Sequence, residues 1–243
     1  MCSAGAGIRL GAAWFRVPER RDVMVAVNTE PRFGLYLPPV ARYLMGVAAV
    51  LAPLLIAAGL ALDLDITGTS NTAIAQRIAA DLDGYPTQAW LGAVSALLWA
   101  PAVLTAGRVA RRNSPRLGLA GTVLAFGTAI PSALDTEALA YVALKSGVPV
   151  PTAVTMMDTA DDIPSGILGF VFFAGLLGLI LLGAAIVRGH AAPPWAGVAL
   201  VVAAVAIPVS WFSGSGVAAL IAWLVLTAGF AGCALALITG REA

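Results

Sequence analysis

The chain has 243 residues, 60% of them hydrophobic and only 11% charged, where a soluble domain carries about 25% charged residues; it cannot cover a water-facing surface. A formal net charge of +1 and no basic patch away from apolar segments exclude nucleic acid as an expected partner and make the lipid bilayer the first one. Cys2 and Cys233 stand at opposite ends of the chain, which indicates neither a disulfide framework nor a zinc site, so no metal and no cofactor are expected.

In chain order, residues 1–39 hold Arg9, Arg16, Arg20, Arg21 and Arg32 but no long apolar run followed by a small-residue cleavage site. They read as a poorly ordered, basic cytoplasmic tail rather than a removable signal peptide. The first expected span is Val40 to Leu62, ending before Asp63 and Asp65. In the polar loop that follows, Ile74, Ile78 and Leu82 repeat every four residues, which predicts a short helix with one apolar face resting on the outer membrane surface. Ser70 or Asn71 caps its start, and Gly84 with Pro86 ends it.

The second span, Thr87 to Gly107, leads into RVARRNSPR, the densest basic stretch of the chain. Arg108, Arg111, Arg112 and Arg116 in so short a loop place it on the cytoplasmic side. The third span starts at Leu117 and runs to about Leu134, with Asp135 near the outer edge of the hydrocarbon. Beyond it DTEALAYVALKSG keeps helical spacing, either as one long helix kinked at Pro131 or as a span followed by a surface helix. Residues 163–187 form the fourth span, an uncharged run long enough at about 1.5 Å per residue to pass the roughly 30 Å hydrocarbon core. Asp161 and Asp162 flank its start and Arg188 its end, so it runs from outside to inside.

A short loop, GHAAPP, precedes the fifth span, Trp195 to Phe212. Ser213 to Gly216 make an outer turn, and the sixth span, Val217 to Ile238, leaves residues 239–243 as a cytoplasmic tail. The expected fold is therefore an all-α polytopic bundle over 40–238 with six spans and both termini cytoplasmic. Of the thirteen arginines and one lysine, only Arg77 and Lys145 fall outside. The arginine-rich, Ala-, Gly- and Val-rich composition matches coding by a GC-rich bacterial genome, which makes the bacterial inner membrane the expected location. Trp90, Trp195 and Trp211 lie at span ends, where an indole prefers the interface. Trp99 and Trp223 lie deeper, against helix neighbours or lipid tails.

Three features bear on function. Pro53, Pro101, Pro131 and Pro208 interrupt spans and kink them, as in helices that line transporter cavities. Small residues four apart, Gly92, Ala96 and Ala100 in the second span and Gly214, Ala218 and Ala222 in the sixth, permit close helix contact within the bundle, with another copy, or with another membrane protein. Asp135, Glu137, Asp158, Asp161 and Asp162 gather at the outer ends of the third and fourth spans. Such a group can bind a cation, relay a proton or attract a cationic substrate, or simply solvate the outer surface.

Enzyme motifs are missing. His190 is the only histidine, which excludes a bis-histidine haem, and HExxH, GxSxG and Walker loops are absent. Ser213-Gly214-Ser215-Gly216 has no downstream histidine to activate a serine and reads as a turn. The six-span layout, with the basic loop RGHAAPPW and its Pro-Trp feature, resembles a family of six-helix bacterial membrane proteins of unknown function. The resemblance covers roughly Ala41 to Ile238 and implies a six-helix integral membrane bundle without catalytic residues. The function expected is a small transporter-like or ligand-binding bundle with an acidic outward mouth; the alternative is a non-catalytic accessory or sensory subunit acting through helix contacts.

Overall fold

A computed structural model describes residues 37–62, 70–129, 136–161 and 165–239, with side chains from 170 onward in the last stretch. The tail up to residue 36, residues 240–243, Pro131, Asp135 and Asp162 lie outside the described residues. Among the described residues there are nine α-helices, one 3-10 turn and no strand. Five helices are long and apolar enough to cross a membrane: α1 (Pro39–Leu62), α3 (Tyr85–Arg111), α7 (Ser165–Gly189), α8 (Pro194–Ser213) and α9 (Gly216–Ile238). The shorter helices are α2 (Asn71–Ala80), α4 (Pro115–Ala125), α5 (Thr136–Lys145) and α6 (Val150–Asp161).

Local chemistry sets the ends. The Ser70 hydroxyl accepts from Ala73 N at 3.3 Å and caps α2. That helix stops at Ala80; Asp81 Oδ1 accepts from Gly84 N at 2.9 Å and folds 81–84 into a turn. Pro86 then sits in the first turn of α3, where its missing N–H is no loss, so α3 starts two residues earlier than expected and continues to Arg111. Between α8 and α9 the chain turns at Gly214, whose φ of 65° favours glycine, and Ser215 caps α9 by accepting from Ala218 N at 3.2 Å. Helices α1, α3 and α8 run on through Pro53, Pro101 and Pro208.

The expected third span is more broken than a single helix. The α-helical stretch α4 tightens into the 3-10 turn Phe126–Ala129, and residues 136–145 form α5, which packs on α2 and α6.

Helix register follows from where backbones meet. Ser95 donates to Ala52 O at 2.7 Å and Thr105 Oγ1 lies 3.2 Å from Met45 O, so α1 and α3 are antiparallel. A Cβ on Gly178 would strike the backbone of Ala125, one on Gly175 would strike Thr128, and one on Gly121 would meet Leu182 N at 2.9 Å; α4 and its 3-10 turn thus run antiparallel to α7. Gly183 and Gly197 face each other's carbonyls across α7 and α8, and Gly229 and Gly232 bring α9 against Leu200 and Ala196 of α8. Helix α9 closes on α1, and α3 also touches α7 and α9. The core between them is aliphatic and aromatic: Trp99 meets Trp223 and Phe230 edge-on, with centroids 6.0 and 5.8 Å apart. The Trp99 indole N–H donates to Thr128 Oγ1 in the 3-10 turn.

Close approach is therefore made by Gly121, Gly127, Gly175, Gly178, Gly183 and Gly197 rather than by the face expected on α3. Nothing lies within 4 Å of a Cβ at Gly92, and Ala100 is exposed. Gly178→Ala should lower stability in detergent by about 1–3 kcal/mol, the usual cost of overpacking, while Gly92→Ala should be neutral or slightly stabilising. Thermal unfolding of the two purified variants beside the parent checks both signs.

Candidate functional site

Helices α2, α5 and α6 pack on one another and form a cap at the end of the bundle where α1 finishes and α3 begins. Helices of ten to twelve residues are marginal alone, and these are held by a small core of their own. Ala75, Ile78, Tyr85, Ala140 and Met157 are buried in it, with Ile74, Leu82, Tyr141 and Leu144 packed around them. The apolar face predicted for α2 thus meets α5, α6 and the start of α3 instead of lipid headgroups. Tyr85 stacks on Tyr141 with centroids 4.9 Å apart, tying α3 to α5.

Polar contacts complete the cap, and they engage three of the carboxylates singled out in the sequence, Glu137, Asp158 and Asp161. The Asn71 side-chain amide donates to Asp158 Oδ1 and to Asp161 Oδ2, each at 2.8 Å. Asp158 and Asp161 are one turn apart on α6, so a single amide bridges the pair. Glu137 on α5 pairs with Arg77 at 3.4 Å, with both side chains about one-third exposed or less. Lys145, at the end of α5, reaches Asp83 at 3.1 Å. Its hydrogen bond to Asp83, then the charge of that carboxylate, raises the Lys145 pKa above the ordinary lysine value. Helix α2 therefore gathers the acids, using Asn71 at its start and Arg77 about 9 Å further along its axis. Asp135 and Asp162 lie outside the described residues.

Beneath α2 lies a half-open cavity of about 480 Å³. Its walls are the last residue of α1, Leu62; Arg77 and Ile78 of α2; Asp81 in the turn; and Tyr85, Thr87 and Gln88 in the first turn of α3. A guanidinium, a carboxylate, a hydroxyl and an amide thus converge beside an aliphatic and aromatic wall, the mixture that holds and orients a small ligand. None of these lining residues is singled out as a binding residue by the sequence alone. Arg77 was legible as one of only two cations expected on its side, but Thr87 and Gln88 carry no signal until α2 folds back over them.

Among the described residues no three His, Cys, Asp or Glu side chains are placed to hold a metal ion. The chain matches no family model, no curated protein and no solved structure.

Two outcomes test the cap. Asn71→Leu should leave Asp158 and Asp161 facing each other without their shared donor, and speed amide hydrogen exchange in α2 and α6 by about three- to tenfold, the effect of losing two solvent-exposed hydrogen bonds that together contribute about 1 kcal/mol; exchange in α8 and α9 should not change. Asp83→Asn should bring the titration of Lys145, the single lysine, down to its ordinary range. Because the folded-state value is the raised one, the pair contributes stability below the unfolded lysine pKa and loses it as pH rises through the folded value; NMR of the reductively methylated amine reads the shift.

Proposed function

We propose that the chain is a ligand-binding, transporter-like membrane bundle without enzyme activity, and that the cavity beneath α2 is its ligand site. The observation that carries this reading is the convergence of Arg77, Asp81, Thr87 and Gln88 in a cavity of about 480 Å³ at the junction of cap and bundle. The size suits a small polar or amphiphilic molecule. The acidic cap, with Glu137, Asp158 and Asp161 held on α2 and Asp135 and Asp162 expected beside them, biases the approach toward cationic or zwitterionic ligands.

The proposed setting is the bacterial inner membrane, crossed six times, with both termini cytoplasmic and the cap outside. Support for the sixth crossing comes from the ends of α3 and α7. Asn113, just past α3, donates its side-chain amide to Gly189 O at the end of α7, so the two helices finish at the same end and the chain between them must return. Helix α4 and its 3-10 turn rise on the order of 25 Å antiparallel to α7 and form that return. Arg42, Arg108, Arg111, Arg112, Arg116 and Arg188 then share the cytoplasmic side.

Lys145 makes the topology testable: in intact cells a membrane-impermeant amine reagent should modify it, as located by peptide mapping, and protection of Lys145 until the cells are lysed would refute the outward cap. For binding, purified protein is heated with a panel of amino acids, quaternary amines and short carboxylates. At least one class should raise the unfolding midpoint of the parent, and Gln88→Trp, which fills the cavity, should abolish the rise. A midpoint unmoved across the panel, or a rise that survives Gln88→Trp, argues against the site. Proteoliposome flux of the same compound, lost in Asp135→Asn, separates transport from binding alone. The rival reading, an accessory or sensory subunit, rests on the Gly92, Ala96 and Ala100 face, which the chain's own helices cover only in part. Stable co-purification with a second membrane protein, with no ligand effect, favours it.

A further inference from the structure

The end of the bundle away from the cap has a chemistry of its own. All five described carboxylates, Asp81, Asp83, Glu137, Asp158 and Asp161, belong to the cap end, and six arginines lie at the other end. Helix packing draws these arginines together around the α3–α4 turn. Arg108 is within electrostatic reach of Arg42, Arg111 and Arg112. Arg111 lies against Gly118, whose Cβ would come within 2.8 Å of its backbone nitrogen. Arg116 is in the first turn of α4, and the Asn113–Gly189 hydrogen bond brings Arg188, on the last turn of α7, to the same turn. Arg111, Arg116 and Arg188 are exposed and form no ion pair with any described carboxylate. Ser114, at the N-cap position of α4, does not use its hydroxyl to cap that helix.

Arginines gathered around one turn suit an anion, and guanidinium forks match phosphate oxygens two at a time. The surface next to them identifies the kind of anion. Leu119 and Val123 follow Arg116 at helical spacing on one face of α4 and are exposed, Val123 by 63%. Arginine therefore sits above an uncovered apolar stripe, an arrangement that takes a phosphate attached to hydrocarbon chains. Trp195, half-exposed in the first turn of α8 at the same end, stands where an indole meets headgroups.

We propose that Arg111, Arg116 and Arg188, with Ser114, bind the phosphate of an anionic phospholipid whose acyl chains lie along Leu119 and Val123. This site is independent of the cavity beneath α2 and stands or falls without it. Its test is lipid retention by the full chain in detergent, offered equal amounts of phosphatidylglycerol and phosphatidylcholine and read by native mass spectrometry. The parent should retain phosphatidylglycerol about tenfold over phosphatidylcholine. Replacing the three arginines by lysine keeps the charge that orients insertion but removes the planar forks, and should cut that preference at least about threefold; the triple glutamine variant should abolish it. Leu119→Ser with Val123→Ser should weaken retention while leaving the arginines in place. Equal retention of the two lipids by the parent, an unchanged preference in the lysine variant, or displacement of the lipid by millimolar glycerol phosphate would overturn the assignment. Because the lysine variant preserves the charge pattern, failure of the glutamine variant to insert leaves the test decisive.

Discussion

Hydrocarbon supplies no hydrogen-bond partner, and the organisation of the bundle follows from that constraint. Each backbone N–H and C=O must be satisfied within its own helix, so the apolar part of the chain is helical throughout its described length. Side-chain hydroxyls meet the same demand. Among the described residues the buried polar ones are Ser95, Thr105, Thr122 and Ser210, and each donates to a backbone carbonyl: Ser95 to Ala52 across to α1, Thr105 to Pro101, Thr122 to Gly118 and Ser210 to Ile207 within their own helices. Ser95 also couples helices, because its bond fixes the register of α3 on α1. Thr105 adds a second point near Met45, so two hydroxyls set the antiparallel pairing on which α4 and α9 are then built.

With no water to exclude between apolar helices in a membrane, their association depends on contact area, which grows as backbones approach. Glycine permits the approach, and its distribution shows where the bundle is tightest. The interface of α4 and its 3-10 turn with α7 is made by glycines on both sides, Gly121 and Gly127 against Gly175 and Gly178. That geometry suits the tightened segment at Phe126–Ala129: a 3-10 turn is narrower than an α-helix, and it sets Thr128 where the Trp99 indole reaches it. Trp99 in turn fills the space between α3 and α9 against Trp223 and Phe230. The contact between α4 and α7 is thereby linked through one side chain to the contact between α3 and α9.

Apolar length and charge placement made the long helices legible, because both are properties of the chain alone: α1, α8 and α9 begin and end within two residues of the expected spans. The helical spacing after Asp135 made α5 legible, but the division of the third span at Phe126 was not. It reflects a close approach to α7, and closeness between distant segments leaves no mark on local periodicity. The same limit explains the small-residue faces. Spacing alone favoured Gly92, Ala96 and Ala100 together with Gly214, Ala218 and Ala222, of which Ala222 alone is buried, whereas the packed glycines are those that the register of neighbouring helices brings together. At the cap the acids were visible and their partners were not. Glu137 and Asp158 could be named from charge, but their attachment to Arg77 and Asn71 depends on α2 folding over α5 and α6 rather than lying on lipid.

The position of the cavity follows from a conflict at the cap. Helices α2, α5 and α6 are short, so a large share of their backbone groups lies in end turns that need water or side-chain partners. They cannot sink into hydrocarbon, yet Ile78, Met157 and Tyr85 must leave water. The cap resolves this by burying those three in a core of its own and keeping Arg77, Asp81 and Asn71 out of that core. Where that layer meets the ends of α1 and α3, a polar underside faces an apolar rim marked by Leu62. Close packing there would bury Arg77 and Gln88 without water, at a desolvation cost that an aliphatic contact cannot offset. The junction stays open, lined by the charged Arg77 and Asp81 together with the apolar Leu62 and Ile78, and a small amphiphilic or zwitterionic molecule is the occupant we propose for it.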